Sequence, residues 1–175
     1  REVNQRYRSR EFLLVTYTPE KDLFSSAVRG RLAALRDELA ALEGVSSVTS
    51  ILDVPLLYSP PIKLDSLVQD IHYLSQADVD WELARREFRD SPLYRNLLTS
   101  ADAGTTALQV KLIRDQRYFE LLEQRDQLRS AQIIRKLSAA EKRALKSSEK
   151  RFYRYAVVAN ERQRLLVSQV REVLD

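Results

Sequence analysis

The sequence predicts an α+β domain, built on a βαβ unit and a β-hairpin, that continues into a long antiparallel helical hairpin. Three observations carry this. A strand–helix–strand pattern runs from Glu11 to Val54, two β-prone runs flank a short turn near Gly104, and 114–175 contains neither glycine nor proline while keeping a seven-residue apolar repeat.

The elements follow in order. Residues 1–10 are polar and basic and read as a lead-in. Glu11-Phe-Leu-Leu-Val-Thr-Tyr-Thr18 is β-branched and aromatic, ends at Pro19, and alternates little, so it is expected to be a strand buried on both faces. Ser25 or Ser26 can cap the next element. Val28, Leu32, Leu35, Leu39 and Leu42 then fall on one face of a helix over 27–42, with Gly44 at the stop position. Val45 to Val54 is expected to be the second strand, parallel to the first after a right-handed crossover.

Pro55, Pro60 and Pro61 mark a rigid extended exit. Leu67, Ile71 and Leu74 suit a helix over 64–76, and Trp81, Leu83, Ala84 and Phe88 suit another over 79–88, stopped by Pro92. The runs 93–99 and 105–113 flank Ser-Ala-Asp-Ala-Gly and predict a β-hairpin. In its second arm Thr106, Leu108, Val110 and Leu112 share the core face, and Ala107, Gln109 and Lys111 the solvent face.

Beyond Ile113 the apolar residues Tyr118, Leu121, Leu122, Leu128, Ile133, Ile134 and Leu137 suit a helix over about 114–136. Ser138-Ala-Ala-Glu141 is a capping box opening a second helix, about 139–174. Along it Leu145, Phe152, Ala159, Leu166 and Val173 recur every seven residues, and Tyr155, Ala156 and Val170 fill part of a companion row, a coiled-coil-like seam. The two helices should fold back as an arm on the order of 35 to 50 Å long. The expected organisation is a core over 1–113 and an arm over 114–175.

Composition narrows the chemistry. There is no cysteine, so disulfides and thiolate metal sites are excluded, and no apolar run of about 18 residues spans a bilayer. The chain begins at Arg1 and contains no Met, as expected of a piece of a longer protein. Residues 114–175 hold 15 basic and 9 acidic residues, a net of +6, against −2 for the remainder. The single histidine, His72, has no companion ligand or carboxylate cluster and reads as structural. Asp78, Asp80, Glu82 and Glu87 read as exposed helix faces, and no phosphate loop, dinucleotide fingerprint or nucleophile elbow occurs. No catalytic, metal-binding or cofactor-binding residue is therefore assigned, no cofactor is expected, and the chain is not expected to be an enzyme.

One cluster stands out. Arg135, Lys136, Lys142, Arg143, Lys146, Lys150, Arg151 and Arg154 gather around the hairpin's closed end, with Phe152, Tyr153 and Tyr155 interleaved. Such a cluster suits an anionic partner, whether nucleic acid or lipid head groups, or else is a solvated helical face. Phe152 and Tyr155 fall on the seam and no base-reading motif accompanies them, which disfavours nucleic acid.

Three phrases resemble a known family. Glu11-Phe-Leu-Leu-Val-Thr-Tyr-Thr-Pro19 with Asp22-Leu-Phe-Ser25, then Leu42-Glu-Gly-Val-Ser-Ser-Val-Thr-Ser-Ile-Leu-Asp-Val-Pro55, then Ser91-Pro-Leu-Tyr-Arg-Asn-Leu-Leu-Thr-Ser100 with Gly104-Thr-Thr-Ala-Leu-Gln-Val110, are similar in order and spacing to bacterial RND-superfamily exporters of the MMPL type. Val170-Arg-Glu-Val-Leu174 is similar to the helix before that family's next strand and transmembrane helix. The resemblance implies a ferredoxin-like porter domain on the periplasmic side of the inner membrane, part of an integral membrane protein. It implies passage of hydrophobic or amphiphilic substrates, lipids among them, driven by protons. The implied partners are the same transporter's transmembrane helices and second porter domain, with homo-oligomerisation left open. The arm is longer than the plain porter pattern needs, and the last strand of the porter repeat is missing after Asp175. The rival reading is a stand-alone coiled-coil interaction or scaffold module.

Overall fold

The computed structural model describes residues 11–56, 72–74, 79–92, 94–95 and 98–175. The chain divides into two compact units at Ile113/Arg114. Among the described residues it is α+β, with a small three-stranded antiparallel sheet and four helices, the last of them long.

In the first unit β1 (Phe12–Tyr17) leads into α1 (Ser26–Ala40), and β2 (Val45–Thr49) follows. Ser25 caps α1 by accepting from the Val28 N–H. Val28, Leu32 and Leu39 are buried at the spacing the sequence predicts, and Gly44 takes the left-handed φ of 96° that lets the chain turn into β2. The third strand, β5 (Thr106–Leu112), pairs antiparallel with both β1 and β2, giving the order β1-β5-β2. β1 and β2 thus run parallel, as expected, but with β5 between them. On β5 Thr106, Leu108 and Val110 are buried and Ala107, Gln109 and Lys111 are not, the alternation read from the sequence.

A second cluster stabilises this unit. Phe88 is buried on α2 (Trp81–Asp90), its ring 5.8 Å from Phe24 and 4.9 Å from Tyr94. Asp80 caps α2 through the Glu82 and Leu83 N–H groups. Tyr94 donates its hydroxyl to the Pro55 carbonyl at 2.5 Å. The Arg29 guanidinium lies 3.4 Å over the Trp81 ring, tying α1 to α2.

Glu87, expected on an exposed helix face, is only 4% exposed on α2, and four expectations about the strands and the β-hairpin are corrected as well. β1 is not buried on both faces: only Val15 is fully buried, and Phe12 and Leu14 are 53% and 62% exposed, because successive side chains point to opposite faces of the sheet and the face that carries Phe12 and Leu14 is left exposed. The second strand stops at Thr49 rather than Val54. Ser50 and Asp53 form their own capping box, the Asp53 carboxylate accepting from the Ser50 N–H and hydroxyl at 2.8 Å each, and wind Ile51–Asp53 into a 3₁₀ turn. His72 and Tyr73 form a short strand, β4, paired with β3 (Pro55–Leu56), rather than continuing a helix; Leu56 and Leu74 are buried beside it. The rest of the expected helix, at 64–71 and 75–76, and Pro60 and Pro61 lie outside the described residues.

The fourth correction concerns the hairpin. Its turn forms, with the Ser100 N–H donating to Thr105 O at 2.9 Å and Ala107 N–H to Leu98 O at 3.0 Å. Its first arm is not a strand among the described residues. Tyr94 and Arg95 wind back on the end of α2, both donating to Ser91 O, and among the described residues bridging is limited to two isolated bridges, Arg95–Thr99 within the arm and Thr99–Thr106 to β5. At the tip Ala103, not Gly104, takes the left-handed φ, 56°.

The second unit is a helical hairpin of α3 (Gln116–Ile134) and α4 (Ala139–Leu174). Leu145, Phe152 and Leu166 are buried, with Ser148 and Val170 from the adjoining row, while Ala159 and Val173 are half-buried. The Phe152 ring packs 5.3 Å from Tyr118 and 4.1 Å from the Arg125 guanidinium. Arg129 reaches Glu149 at 2.8 Å, and the Tyr155 hydroxyl reaches Asp115 at 2.9 Å. These pairs fix the antiparallel register of the two helices.

Candidate functional site

The hairpin's closed end gathers the most charge in the chain. Residues 129–154 carry 9 basic and 2 acidic residues, a net of +7, whereas the whole chain carries +4. Both acids are already engaged by arginines, Glu141 by Arg135 and Glu149 by Arg129.

The turn itself is tightly built. The Arg135 N–H donates to Ala131 O at the end of α3. Ser138 caps α4, accepting from the Glu141 N–H at 3.2 Å, while the Glu141 carboxylate accepts from the Ser138 N–H at 2.8 Å. The Arg135 guanidinium adds two bonds to the same carboxylate, 3.0 and 2.5 Å. Arg135, then the Ser138 backbone and hydroxyl, bring the Glu141 pKa down to about 2. Leu137 is buried beneath the turn.

All eight basic residues singled out from the sequence are exposed. Arg135 is spent on closing the turn. Among the described residues the other seven form no ion pair. Lys142, Lys146, Lys150 and Arg154 follow one another at four-residue spacing along about 18 Å of α4, with Arg143 beside them. At about 100° per residue this stripe winds away from the buried row, from about 60° off Leu145 at Lys142 to about 160° off Phe152 at Arg154. Arg151 lies round the helix from the stripe. Like charges four residues apart oppose helix formation by about 0.2–0.5 kcal/mol per pair. The stripe is therefore a local cost, sustained by the packing of the buried row.

Sequence reading missed one feature. Ile133 and Ile134, counted there among the apolar positions of the first helix, are 79% and 83% exposed at the end of α3. Neighbours in sequence stand about 100° apart on a helix, so both cannot join one buried row. That offset was the available signal.

Elsewhere a groove of ≈ 300 Å³ beside α2 is lined by Leu83, Arg86, Glu87, Asp90, Ser91 and Pro92. Among the described residues no group of three or more His, Cys, Asp or Glu converges on a metal position. Nor is any helix among them long and apolar enough to cross a membrane. Compared with protein-family models, with curated proteins and with solved structures, the chain gives no match.

Proposed function

We propose that this chain is the extracytoplasmic porter-type domain of a proton-driven RND-superfamily exporter of the MMPL type, lying on the periplasmic side of the inner membrane. The observation that carries the proposal is the strand order β1-β5-β2, with β1 and β2 parallel and joined by α1. A ferredoxin-like porter core requires this arrangement of three of its four strands. Its fourth strand would add beside β1, which pairs on one side only, with β5, among the described residues. The role is passage of a hydrophobic or amphiphilic substrate together with docking through the arm, and no covalent chemistry is assigned to the domain.

The rival, a stand-alone coiled-coil module, requires the seam to be open to another copy. Leu145 and Phe152 are each no more than 7% exposed within one chain, which favours the exporter reading. The test is the coding sequence on either side. Apolar spans of about 20 residues are expected before Arg1 and after Asp175. A start codon adjoining Arg1 and a stop codon adjoining Asp175 would overturn the exporter.

A further inference from the structure

The closed end of the hairpin combines two features that its own folding does not explain. Ile133 and Ile134 are the most exposed large apolar side chains among the described residues. They stand about 120° and 140° round α3 from the buried Leu121, in opposite senses, so neither turns toward the α4 seam. Directly after them come Arg135 and Lys136, and across the turn the α4 stripe begins at Lys142. The two carboxylates of this region are already paired with arginines. What remains is an exposed apolar pair at the end of the hairpin, followed by Lys136 and by the α4 cations, none of which has an ion-pair partner among the described residues.

We propose that this tip binds an anionic lipid bilayer. Ile133 and Ile134 enter the boundary between head groups and acyl chains, while Lys142, Arg143, Lys146 and Lys150 hold lipid phosphates. Charge and shape both select this occupant. A net of +7 over 26 residues is drawn to a negative surface. The end of a two-helix hairpin offers little of the roughly 800 Å² per partner that a stable protein interface buries. A bilayer needs no matching concavity, and long cationic side chains reach phosphates while apolar neighbours enter below them. The inference stands whether or not the chain belongs to an exporter.

The test uses the full chain and vesicles of phosphatidylcholine, alone or with about one third phosphatidylglycerol. Co-sedimentation with the anionic vesicles only is expected, weakening steeply with salt. Replacing Ile133 and Ile134 together by Ser should weaken binding about tenfold. Each of Lys142→Gln and Lys146→Gln should weaken it about fivefold. The chain lacks cysteine, so Ile134→Cys gives a unique attachment point for an environment-sensitive fluorophore. Its emission should shift blue on anionic vesicles, whereas the same label at Gln124→Cys, exposed on the body of α3, should not respond. Absence of binding to anionic vesicles would overturn the proposal and leave an acidic protein as the partner. Binding that the Ile pair leaves unchanged, with a silent label at position 134, would overturn it equally.

Discussion

Arg135 and Glu141 clasp the turn between the two long helices, the guanidinium placing two hydrogen bonds of 3.0 and 2.5 Å on a carboxylate that also caps the Ser138 backbone N–H. One side chain therefore fixes both the start of α4 and the return of the chain from α3.

This makes the turn acid-sensitive. The Glu141 pKa in the folded chain is about 2, against an ordinary 4.5. A depressed carboxyl contributes stability that is fully present above its unfolded value and is lost as pH falls through the folded one. Glu141→Gln should lower the urea midpoint of the hairpin at neutral pH. The gap from the parent chain should close as pH falls from about 4.5 toward 2. A gap independent of pH would refute this role.

Phe152 is the best-packed aromatic of the seam, between Tyr118 and Arg125. Phe152→Ala should cost about 3–5 kcal/mol of hairpin stability, read as lost helical circular dichroism at lower urea. Val157→Ala, on the exposed side of the same helix (69% exposed), should change it by less than about 0.5 kcal/mol.

Tyr94 anchors the segment after α2 by donating to Pro55 O. Tyr94→Phe keeps the ring against Phe88 and removes only that bond, so a loss of about 1 kcal/mol is expected in denaturant unfolding of the first unit.

Ala103 holds a left-handed φ of 56° at the tip of the 100–105 turn. Ala103→Gly relieves that strain and should raise the melting temperature, the gain being about 1 kcal/mol at most once the added freedom of the unfolded chain is counted. An unchanged or lower melting temperature would show that burial of the Ala103 methyl outweighs the strain.

In the exporter reading, reversing Lys142, Arg143, Lys146 and Lys150 to Glu in the full-length protein should reduce transport or assembly, measured by substrate efflux and by crosslinking of the transporter's parts. If both were unaffected, the arm would have no docking role.

Where periodicity was long the sequence sufficed. Leu145, Phe152 and Leu166 repeat too regularly to be anything but a buried row, and Ser138 and Glu141 announce the helix start by their chemistry. Short signals were ambiguous. Leu67, Ile71 and Leu74 are too few to separate a helix from the pairing that His72 and Tyr73 adopt. The Ser50–Asp53 box was as readable as Ser138–Glu141, but the β-branched residues around it masked it. The exposure of Phe12 and Leu14 depends on which face of the sheet is covered by other elements, and composition does not encode that packing. At the candidate site the cations were legible as a cluster. Arg135's engagement with Glu141 was not, since it depends on the path of the turn.

The six residues Phe12-Leu-Leu-Val-Thr-Tyr17 contain no charge and no proline, and among the described residues they form an outermost strand of the sheet. Nothing in β1 itself discourages an identical strand from lying down beside it. The solubility of the isolated chain is thus governed by its own concentration. Covering that edge would keep the chain from becoming a template for its own aggregation.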